Sequence, residues 1–460
     1  MKLHLIPLRA ACALLFTLLV VACGGGGGSS EPTTGISSTP TPTPTPTPAP
    51  TAMACDGSTS IGSGNVAPLF VDGFPCAAGG TVGAANVPNT PYVSVQVCAP
   101  GSTTNCQTID HVILDTGSTG LRIAASALNA SLQPGSGGLP VMAGAAAGTV
   151  LTECEAYVSS YVYGPVVSAD VYIAGKKVGS TQLQVFGAPG YAVPRGCSNQ
   201  GGTQTDTTQL FGGNGLLGVS FDVADNYSLY YDCQAATGSS CSADNSYPGM
   251  PNTVTQFSAD NNGVVISLPA VGAAGSTTVV VGTLSFGVAT QTNNTPPAGT
   301  LAIVNDGSLG ATGGTFAAAI GGTWSMAYID SGTDVVYFDD TADPQLTACP
   351  GSGLYAGYYC PAAAQSLVFT LANTGSTAAV GTLPYTVVDA SMVYGTTAIA
   401  VGNVGGADSS SSTGGGGGTI AFGLSAFFGH DMYFLFNGMT APGAGLGGAA
   451  TVTGPINGIH

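Results

Sequence analysis

The sequence predicts an all-β protein folded as two lobes. Charged residues make up only 6% of the chain, and its polarity comes instead from Ser, Thr, Asn and 71 glycines. Val, Thr and Gly are abundant and helical stretches rich in Leu, Lys or Glu are few, which is typical of strands and turns. A short apolar strand followed by Asp-Thr/Ser-Gly-Ser/Thr also occurs twice, at residues 112–118 and 327–333. Two such copies, far apart in the chain, predict one lobe around each.

Residues 1–22 are predicted to form an export signal. Lys2 and Arg9 precede an apolar run over 10–21, which is too short for a stable membrane span. Small residues then lead into Cys23, and this ending resembles a bacterial lipobox. The resemblance implies cleavage before Cys23 and acylation of its thiol, so we expect a protein lipid-anchored in the bacterial cell envelope. Gly24 favours the outer membrane. The alternative is a plain secretory signal.

Residues 23–54 are predicted to be a tether. Glycines occupy positions 24–28, and a Thr-Pro repeat follows over 39–50. The glycines are flexible, whereas the repeat favours extended polyproline II at about 3.1 Å per residue. The segment would hold the folded region away from its anchor.

The charge balance excludes one class of partner. Six basic residues against 23 acidic ones give a net charge of −17. A surface this acidic repels nucleic-acid phosphates, so we expect no nucleic-acid partner. Otherwise the charge suits solubility outside the cytoplasm.

Ten cysteines remain once Cys12 and Cys23 are set aside. An even number in an exported chain predicts disulfides. No CxxC or HExxH motif is present and the four histidines are scattered, so we expect no metal site. Close spacing suggests Cys98–Cys106, Cys233–Cys241 and Cys349–Cys360, and elimination leaves Cys55–Cys76 and Cys154–Cys197.

The first Asp-Thr-Gly turn is predicted to follow a β-hairpin. Residues 91–97 alternate Val with polar residues, as in a half-buried strand. A turn bounded by Cys98 and Cys106 follows, and a second strand over 108–114 then leads into Asp115. The hairpin would therefore deliver this aspartate to the end of a strand.

The two turns carry a family resemblance. V-I-L-D-T-G-S-T-G-L at 112–121 and A-Y-I-D-S-G-T-D-V-V at 327–336 resemble the paired active-site turns of pepsin-like aspartic proteases. The resemblance implies a bilobal acid-protease fold, in which two β-barrel-like lobes enclose a cleft. N-x-P-Y-V-S-V at 89–95 and C-Q-T-I-D-H at 106–111 also resemble a group of bacterial lipoproteins known only as a domain of unknown function.

Further segments extend the resemblance along the chain. Tyr157 falls where the family has the tyrosine of its flap, a hairpin that closes over substrate. Residues 211–218 and 420–423 are similar to the apolar-Gly segments beside the two catalytic loops. Residues 282–287 look like the strand that closes the first lobe. We therefore expect an N-terminal lobe over 55–290 and a C-terminal lobe over 291–460.

By this resemblance, Asp115 and Asp330 form a catalytic dyad. Two adjacent carboxyl groups cannot both ionise cheaply, so they share a proton. One would take a proton from a water molecule while the other donates to the carbonyl oxygen of a peptide bond. The expected activity is that of an aspartic endopeptidase acting on extended polypeptides, as a monomer and without a cofactor. The residues expected to support the dyad are Thr116, Gly117, Ser118, Ser331, Gly332 and Thr333.

The sequence departs from the family at two positions. Arg122 stands where the family usually has Trp, and Val158 stands where the flap usually has Gly. If Arg122 points toward the dyad, it lowers a carboxyl pKa by roughly one to three units; if it points outward, it pairs with surface acids. The alternative function is a non-catalytic cell-envelope lipoprotein that binds a peptide or partner. A purely structural surface protein would be favoured if Asp115 and Asp330 lay far apart.

Overall fold

The structure is a computed structural model that describes most of the chain after the predicted tether. The predicted signal peptide, Cys23 and the predicted tether lie outside the described residues. The described ranges are 59–74, 88–135, 137–225, 227–234, 240–306, 314–339, 346–350, 356–394, 398–408, 418–448 and 450–460.

Strands dominate these ranges, and the predicted all-β class is confirmed. Up to residue 286 they are β1 Val66–Val71, β2 Pro91–Cys98, β3 Cys106–Asp115, β4 Thr119–Ala124, β5 Thr149–Ala156, β6 Ser160–Ile173, β7 Lys176–Phe186, β8 Thr203–Gln204, β9 Gly215–Val219, β10 Ala224–Asp225, β11 Leu229–Gln234, β12 Ser242–Ala243, β13 Met250–Pro251, β14 Gly263–Ser267 and β15 Val280–Phe286.

The second half contributes twelve further strands. They are β16 Leu301–Val304, β17 Phe316–Ile320, β18 Thr323–Ile329, β19 Val336–Tyr337, β20 Gln365–Ala372, β21 Ala379–Val387, β22 Gly405–Gly406, β23 Thr419–Phe422, β24 Asp431–Leu435, β25 Thr440–Pro442, β26 Thr451–Thr453 and β27 Ile456–Ile459.

Helices in the described ranges are short. The α-helical turns are α1 Arg195–Ser198, α2 Thr208–Phe211 and α3 Ser391–Tyr394. The 3₁₀ turns are Ala125–Ala127, Ala130–Leu132, Thr253–Gln256, Thr292–Asn294 and Leu424–Ala426. No helix in the part of the chain that the structure describes is long and apolar enough to cross a membrane.

Two large sheets organise the fold. A 16-stranded sheet runs β12-β11-β5-β6-β7-β4-β9-β3-β2-β1-β15-β14-β24-β27-β16, with β8 paired to β6. Its last strands, β24, β27 and β16, come from the second half of the chain and join the two lobes. A 7-stranded sheet, β21-β20-β17-β18-β23-β19-β22, belongs wholly to the second lobe. The boundary near residue 290 stays a prediction.

The same three-strand motif carries each Asp-Gly turn. In the first lobe, β9 pairs parallel with β3 and antiparallel with β4. In the second lobe, β23 pairs parallel with β18 and antiparallel with β19. The strand that delivers the aspartate and the strand that leaves the turn are therefore held apart by a third, apolar strand.

Glycine is needed where this third strand meets the turn. A Cβ atom on Gly218 would lie 2.7 Å from the Ser118 carbonyl oxygen, and one on Gly423 would lie 2.2 Å from the Val335 carbonyl oxygen. Neither distance is compatible with a side chain. The close approach explains why both apolar segments noted in the sequence contain glycine at this point.

Four of the five predicted disulfides are confirmed. They are Cys98–Cys106, Cys154–Cys197, Cys233–Cys241 and Cys349–Cys360. The predicted Cys55–Cys76 bond lies outside the described residues. The predicted hairpin is also confirmed, because β2 and β3 pair antiparallel across the Cys98–Cys106 link.

Candidate active site

The two Asp-Gly turns hold their carboxylates in the same way. Asp115 accepts hydrogen bonds from the Gly117 N–H, at 2.8 Å, and from the Ser118 hydroxyl. Asp330 accepts from the Gly332 N–H at 2.8 Å and the Thr333 hydroxyl at 2.7 Å. Each carboxylate is thus oriented by groups two and three residues further along its own turn.

The residue after each aspartate ties the two turns together. The Thr116 N–H donates to the Ser331 hydroxyl at 3.0 Å, and the Ser331 N–H donates to the Thr116 hydroxyl at 2.9 Å. Each hydroxyl then donates to a carbonyl of the opposite lobe, Thr116 to Ile329 at 3.2 Å and Ser331 to Leu114 at 2.7 Å. Both side chains are buried. This reciprocal set fixes the relative position of the two lobes at the carboxylates.

The turn glycines leave the space that the carboxylates occupy. A Cβ atom on Gly117 would lie 2.7 Å from Oδ1 of Asp330, and one on Gly332 would lie 2.7 Å from Oδ1 of Asp115. Each glycine therefore makes room for the aspartate of the other lobe. Asp115 and Asp330 therefore lie side by side. A purely structural surface protein would have been favoured only if these two residues lay far apart.

The paired carboxyl groups perturb each other. Burial first, and then the charge of Asp115 and a hydrogen bond with it, raise the pKa of Asp330 well above its ordinary value. One proton is therefore retained between the two groups over a range where an isolated aspartate is ionised. Such a pair can accept a proton from one reacting atom and donate one to another.

A hairpin covers the pair, and Tyr157 lies at its turn. The hairpin consists of β5 and β6, and its turn closes with a 2.7 Å hydrogen bond from the Tyr157 N–H to the Ser160 carbonyl. Val158, at the tip, is fully exposed. Tyr157 lines the same cavity as Asp115 and Asp330.

The hairpin is braced along both edges. Strand β11 pairs with β5 from Leu229 to Gln234, and β8 pairs with β6. At the tip, the Thr203 N–H donates to the Ser159 carbonyl at 3.0 Å. The Cys154–Cys197 disulfide attaches β5 to α1. The covering hairpin is therefore part of a wider sheet and is not a free two-stranded ribbon.

Arg122 lies behind this hairpin, and its partners there are the buried Glu153 and the partly buried Glu155. Its side chain is 0% exposed, and the guanidinium donates to Glu153 at 2.7 Å and to Glu155 at 3.2 Å. It also forms an ion pair with Asp225 and donates to the Thr119 carbonyl at 2.9 Å. These contacts connect the strand that leaves the first turn to the base of the hairpin.

This position differs from both placements expected of Arg122. None of its hydrogen bonds among the described residues goes to Asp115 or Asp330, and it does not face solvent. It pairs with acids, as expected of an outward residue, but Glu153 and Asp225 are buried and Glu155 is partly buried. Three carboxylates surround one guanidinium, and burial outweighs Arg122 so that the pKa values of Glu153 and Glu155 are both raised. The cluster therefore retains protons at a pH where exposed glutamates are ionised.

Two cavities that share lining residues form the cleft, and the aspartate pair lines the first of them. The first cavity, of about 500 Å³, is lined by Asp115, Asp330, Tyr157, Glu155 and Asp222 among others. The second cavity, of about 1130 Å³, lies toward the second lobe. It is lined by Phe74, Tyr92, Tyr328, Asp334, Tyr337 and Asp408 among others. Both cavities reach Ile113, Phe211 and Thr333, so the cleft continues beneath the hairpin tip.

His111 is a structural feature of the first turn's strand. It lies 2.9 Å from Asp72 and 3.0 Å from Asp110, and it stacks on Phe74 at 4.3 Å between ring centres. Burial opposes its charge, but hydrogen bonds to Asp110 and Asp72 outweigh it and raise the pKa of His111 to about 9. The imidazolium is therefore held in the charged form.

Sequence reasoning missed the acids around Arg122 and the acid Asp222 in the cleft. The sequence does contain a signal for the acids around Arg122. The chain has only three glutamates, and two of them are Glu153 and Glu155. Residues two apart in a strand face the same side, and rare charges in an apolar strand need a partner. No comparable signal marks Asp222, which follows β9 in an irregular segment.

Comparison with family models identifies a family for this chain. A family model described as "Protein of unknown function (DUF3443)" matches residues 63–451. Among solved structures, the chain is similar to the aspartic proteinase from Irpex lacteus, at 14% identity and a TM-score of 0.45, over 81% of this chain and 96% of that one. No curated protein matches the sequence.

Proposed function

The chain belongs to the DUF3443 family of proteins of unknown function, and we propose that it is an aspartic endopeptidase that hydrolyses peptide bonds of extended polypeptides. The observation that carries the proposal is the pair of Asp-Gly turns. Each turn presents one carboxylate, each glycine makes room for the opposite aspartate, and the Thr116 and Ser331 hydroxyls lock the turns together. An arrangement so reciprocal is hard to account for by ordinary turn capping.

In the proposed mechanism the two carboxyl groups act as one unit. The ionised member removes a proton from a water molecule as its oxygen forms a bond to the peptide carbonyl carbon. The protonated member donates to the carbonyl oxygen, which gives a tetrahedral diol. A proton then passes to the peptide nitrogen, and the C–N bond breaks to release an amine and a carboxylic acid. Because the proton is shared, Asp115 and Asp330 exchange roles between the two steps.

The cleft suits an extended chain. Its two cavities lie on either side of the hairpin tip and share residues beneath it. A polypeptide that passes under the hairpin would therefore place one peptide bond at Asp115 and Asp330, with neighbouring side chains in the cavities. Tyr157 would cover that bond and exclude bulk water.

The test is cleavage of a denatured protein mixture from about pH 3 to 7 by the mature chain and its variants. Asp115→Asn and Asp330→Asn should each reduce the rate by about 10²–10⁴-fold, because each removes one partner in proton transfer. Asp431→Asn is the matched control, since Asp431 lies on β24 outside both cavities. Activity that is absent at every pH, or that survives both dyad substitutions, would contradict the proposal.

A non-catalytic peptide-binding lipoprotein of the same fold is the second candidate. It is favoured by the braced hairpin, since a covering element paired along both edges limits the gating that hydrolysis and product release often use. The two candidates differ in one measurement. A binding module would hold peptides with the same affinity in the unsubstituted chain and in Asp115→Asn, with no cleavage in either.

We also propose that Cys23 carries a lipid anchor that places the folded region in the bacterial cell envelope. The lipobox-like sequence before Cys23 supports this. Cys23→Ser should move the protein from the membrane fraction to the soluble fraction. Equal membrane association of both forms would exclude anchoring through this thiol. The mature chain should elute as a monomer in size-exclusion chromatography.

A further inference from the structure

The cleft has an unusual distribution of charge. Besides the aspartate pair, the first cavity is lined by Glu155, Asp222 and Asp225, and the second by Asp334 and Asp408. No Lys, Arg or His is among the described residues that line either cavity. Walls of a single charge sign focus the electrostatic potential inside a cleft and attract ligands of the opposite sign.

The lysines and arginines of the described ranges lie elsewhere. Lys176 pairs with Asp260, and Lys177 pairs with Asp170 at 2.9 Å. Arg122 is buried behind the hairpin, and Arg195 is exposed on α1. The acidic cleft is thus not neutralised by a basic side chain from within its own walls.

Apart from the aspartate pair, Asp222 is the acid of the first cavity that has no ion pair among the described residues. Glu155 and Asp225 are both paired with Arg122. The Asp222 carboxylate, by contrast, has no ion pair among the described residues. Its backbone is fixed close to the first turn, since its N–H donates to the Ser220 hydroxyl, which in turn bonds the hydroxyl of Thr119. The backbone of Asp222 is therefore tied to the segment that follows the first turn, and the residue lines the same cavity as Asp115 and Asp330.

A second polar group in the same cavity also lacks a partner. The hydroxyl oxygen of Tyr157 is shielded from solvent and makes no hydrogen bond to any described residue. A buried hydroxyl without a partner costs about 1–3 kcal/mol, which a ligand atom can recover. Together with Asp222 it gives the cavity two unmet polar interactions that a bound chain could satisfy.

We propose that Asp222 binds a lysine or arginine side chain of the polypeptide, so that the protein selects sequences with a basic residue adjacent to the bond held at Asp115 and Asp330. The inference rests on the proposed function, because it places the ligand chain in the catalytic cleft. Binding forms an ion pair between the Asp222 carboxylate and the cationic side chain within a partly enclosed cavity. A neutral side chain of the same length would leave the carboxylate without a counter-charge.

The selection should depend on pH. Burial first, and then the charge of Asp225, raise the pKa of Asp222 to about 6. Below that pH Asp222 is protonated and neutral, so it has no preference for a cation. Above it the carboxylate is charged and the preference is present, and a bound cation shifts the transition downward. The titratable groups that share the cavity with Asp222 are Asp225, Glu155, Asp115, Asp330, Tyr157 and Tyr227.

The test is peptide binding to the mature Asp115→Asn chain, a background in which cleavage is removed. Two fluorescent peptides are compared that differ only in lysine or norleucine beside the central bond, each with a free or an acetylated N-terminus. Fluorescence anisotropy gives Kd at pH 5 and pH 7.5. At pH 7.5 the lysine peptide should bind about tenfold more tightly, and at pH 5 the two Kd values should approach each other. Acetylation should not change the preference.

Substitution then assigns the preference to one residue. Asp222→Asn should abolish it at pH 7.5, and the control Asp431→Asn should retain it. Equal Kd values for both peptides at pH 7.5, or a lysine preference that survives Asp222→Asn, would overturn the inference.

A preference that disappears on acetylation would instead assign the cleft to an N-terminal amine. Binding of neither peptide would also remove the proposed function, whereas tight binding without preference would leave it intact. If Asp222→Asn does not fold, Asp222→Ser takes its place, with the same expected loss of preference.

Discussion

The two Asp-Gly turns are nearly identical where they touch the carboxylates and different immediately behind them. Both use a glycine N–H and a hydroxyl to orient the aspartate. Seven residues after the aspartate, the first lobe has Arg122 and the second has Tyr337. Arg122 is buried among three carboxylates, whereas the Tyr337 hydroxyl donates to Asp334 at 3.1 Å and its ring lies 6.1 Å from that of Tyr358.

This comparison identifies the contacts that position the two carboxylates. The local hydrogen bonds and the crossing hydroxyls are the same on both sides, so they set the position of the carboxylates. The support behind each turn is ionic in one lobe and aromatic in the other. Truncating an ionic support and truncating an aromatic one should cost different amounts of stability. Equivalent substitutions in the two lobes should therefore have unequal effects on the free energy of unfolding.

The largest difference between the lobes in the free energy of unfolding should be that between Arg122→Met and Tyr337→Phe. Removing Arg122 leaves the clustered acids Glu153, Glu155 and Asp225 without their counter-charge, which should lower the free energy of unfolding by about 3–5 kcal/mol. Tyr337→Phe removes the hydroxyl that donates to Asp334 and should cost about 1 kcal/mol. Urea denaturation at pH 7 measures both. Adding Glu153→Gln to Arg122→Met should recover part of the loss, and similar values for the two single substitutions would contradict an ionic support.

His111 should make protein stability depend on pH through the first lobe, with no equivalent group in the second. Its counterpart four residues before the second aspartate is Met326, which is exposed and does not titrate. The pKa of His111 is raised in the folded state to about 9, so its contribution is complete below about 6.5 and is lost as pH rises through about 9. That contribution is on the order of 3 kcal/mol.

The stability of the unsubstituted chain should therefore fall between pH 7 and pH 10 by more than that of His111→Gln. Met326→Gln serves as the control and should follow the unsubstituted chain. Parallel pH profiles for His111→Gln and the unsubstituted chain would show that the imidazolium contributes nothing.

The turn glycines should behave alike, which tests the symmetric part of the comparison. Gly117→Ala and Gly332→Ala each place a methyl group where the opposite carboxylate lies, 2.7 Å from its Oδ1. A displacement of about 1 Å in the reacting groups should reduce the cleavage rate by about 100-fold. Gly272→Ala is the control, because nothing lies within 4 Å of its added Cβ. If only one of the two turn substitutions has an effect, the carboxylates do not act as an equal pair.

The crossing hydroxyls should have a smaller effect than Arg122. Thr116→Val and Ser331→Ala each remove a hydroxyl that donates to a carbonyl and accepts from an N–H of the opposite lobe. The unpaired groups should cost about 1–3 kcal/mol in each case. Thr382→Val, on the exposed face of β21, should be neutral. The double substitution should cost less than the sum of the single ones, and strict additivity would contradict a shared network.

Much of the candidate site could be predicted because its features are local. The turns at 115–118 and 330–333, the apolar strands before them and the closely spaced cysteine pairs each lie within a few residues. The all-β class follows from composition. The Cys154–Cys197 bond was reached only by elimination, since its partners are 43 residues apart.

The sequence by itself determined that two Asp-Gly turns exist, that glycine occupies their crowded positions and that no acidic residue lies near Arg122 between residues 116 and 130. Only the tertiary structure decided where Arg122 goes. Its partners lie 31, 33 and 103 residues further along the chain, and the lateral pairing of strands brings them together. The reason is physical: a turn is set by neighbouring backbone dihedrals, whereas a buried charge is satisfied by whichever strands the sheet places beside it.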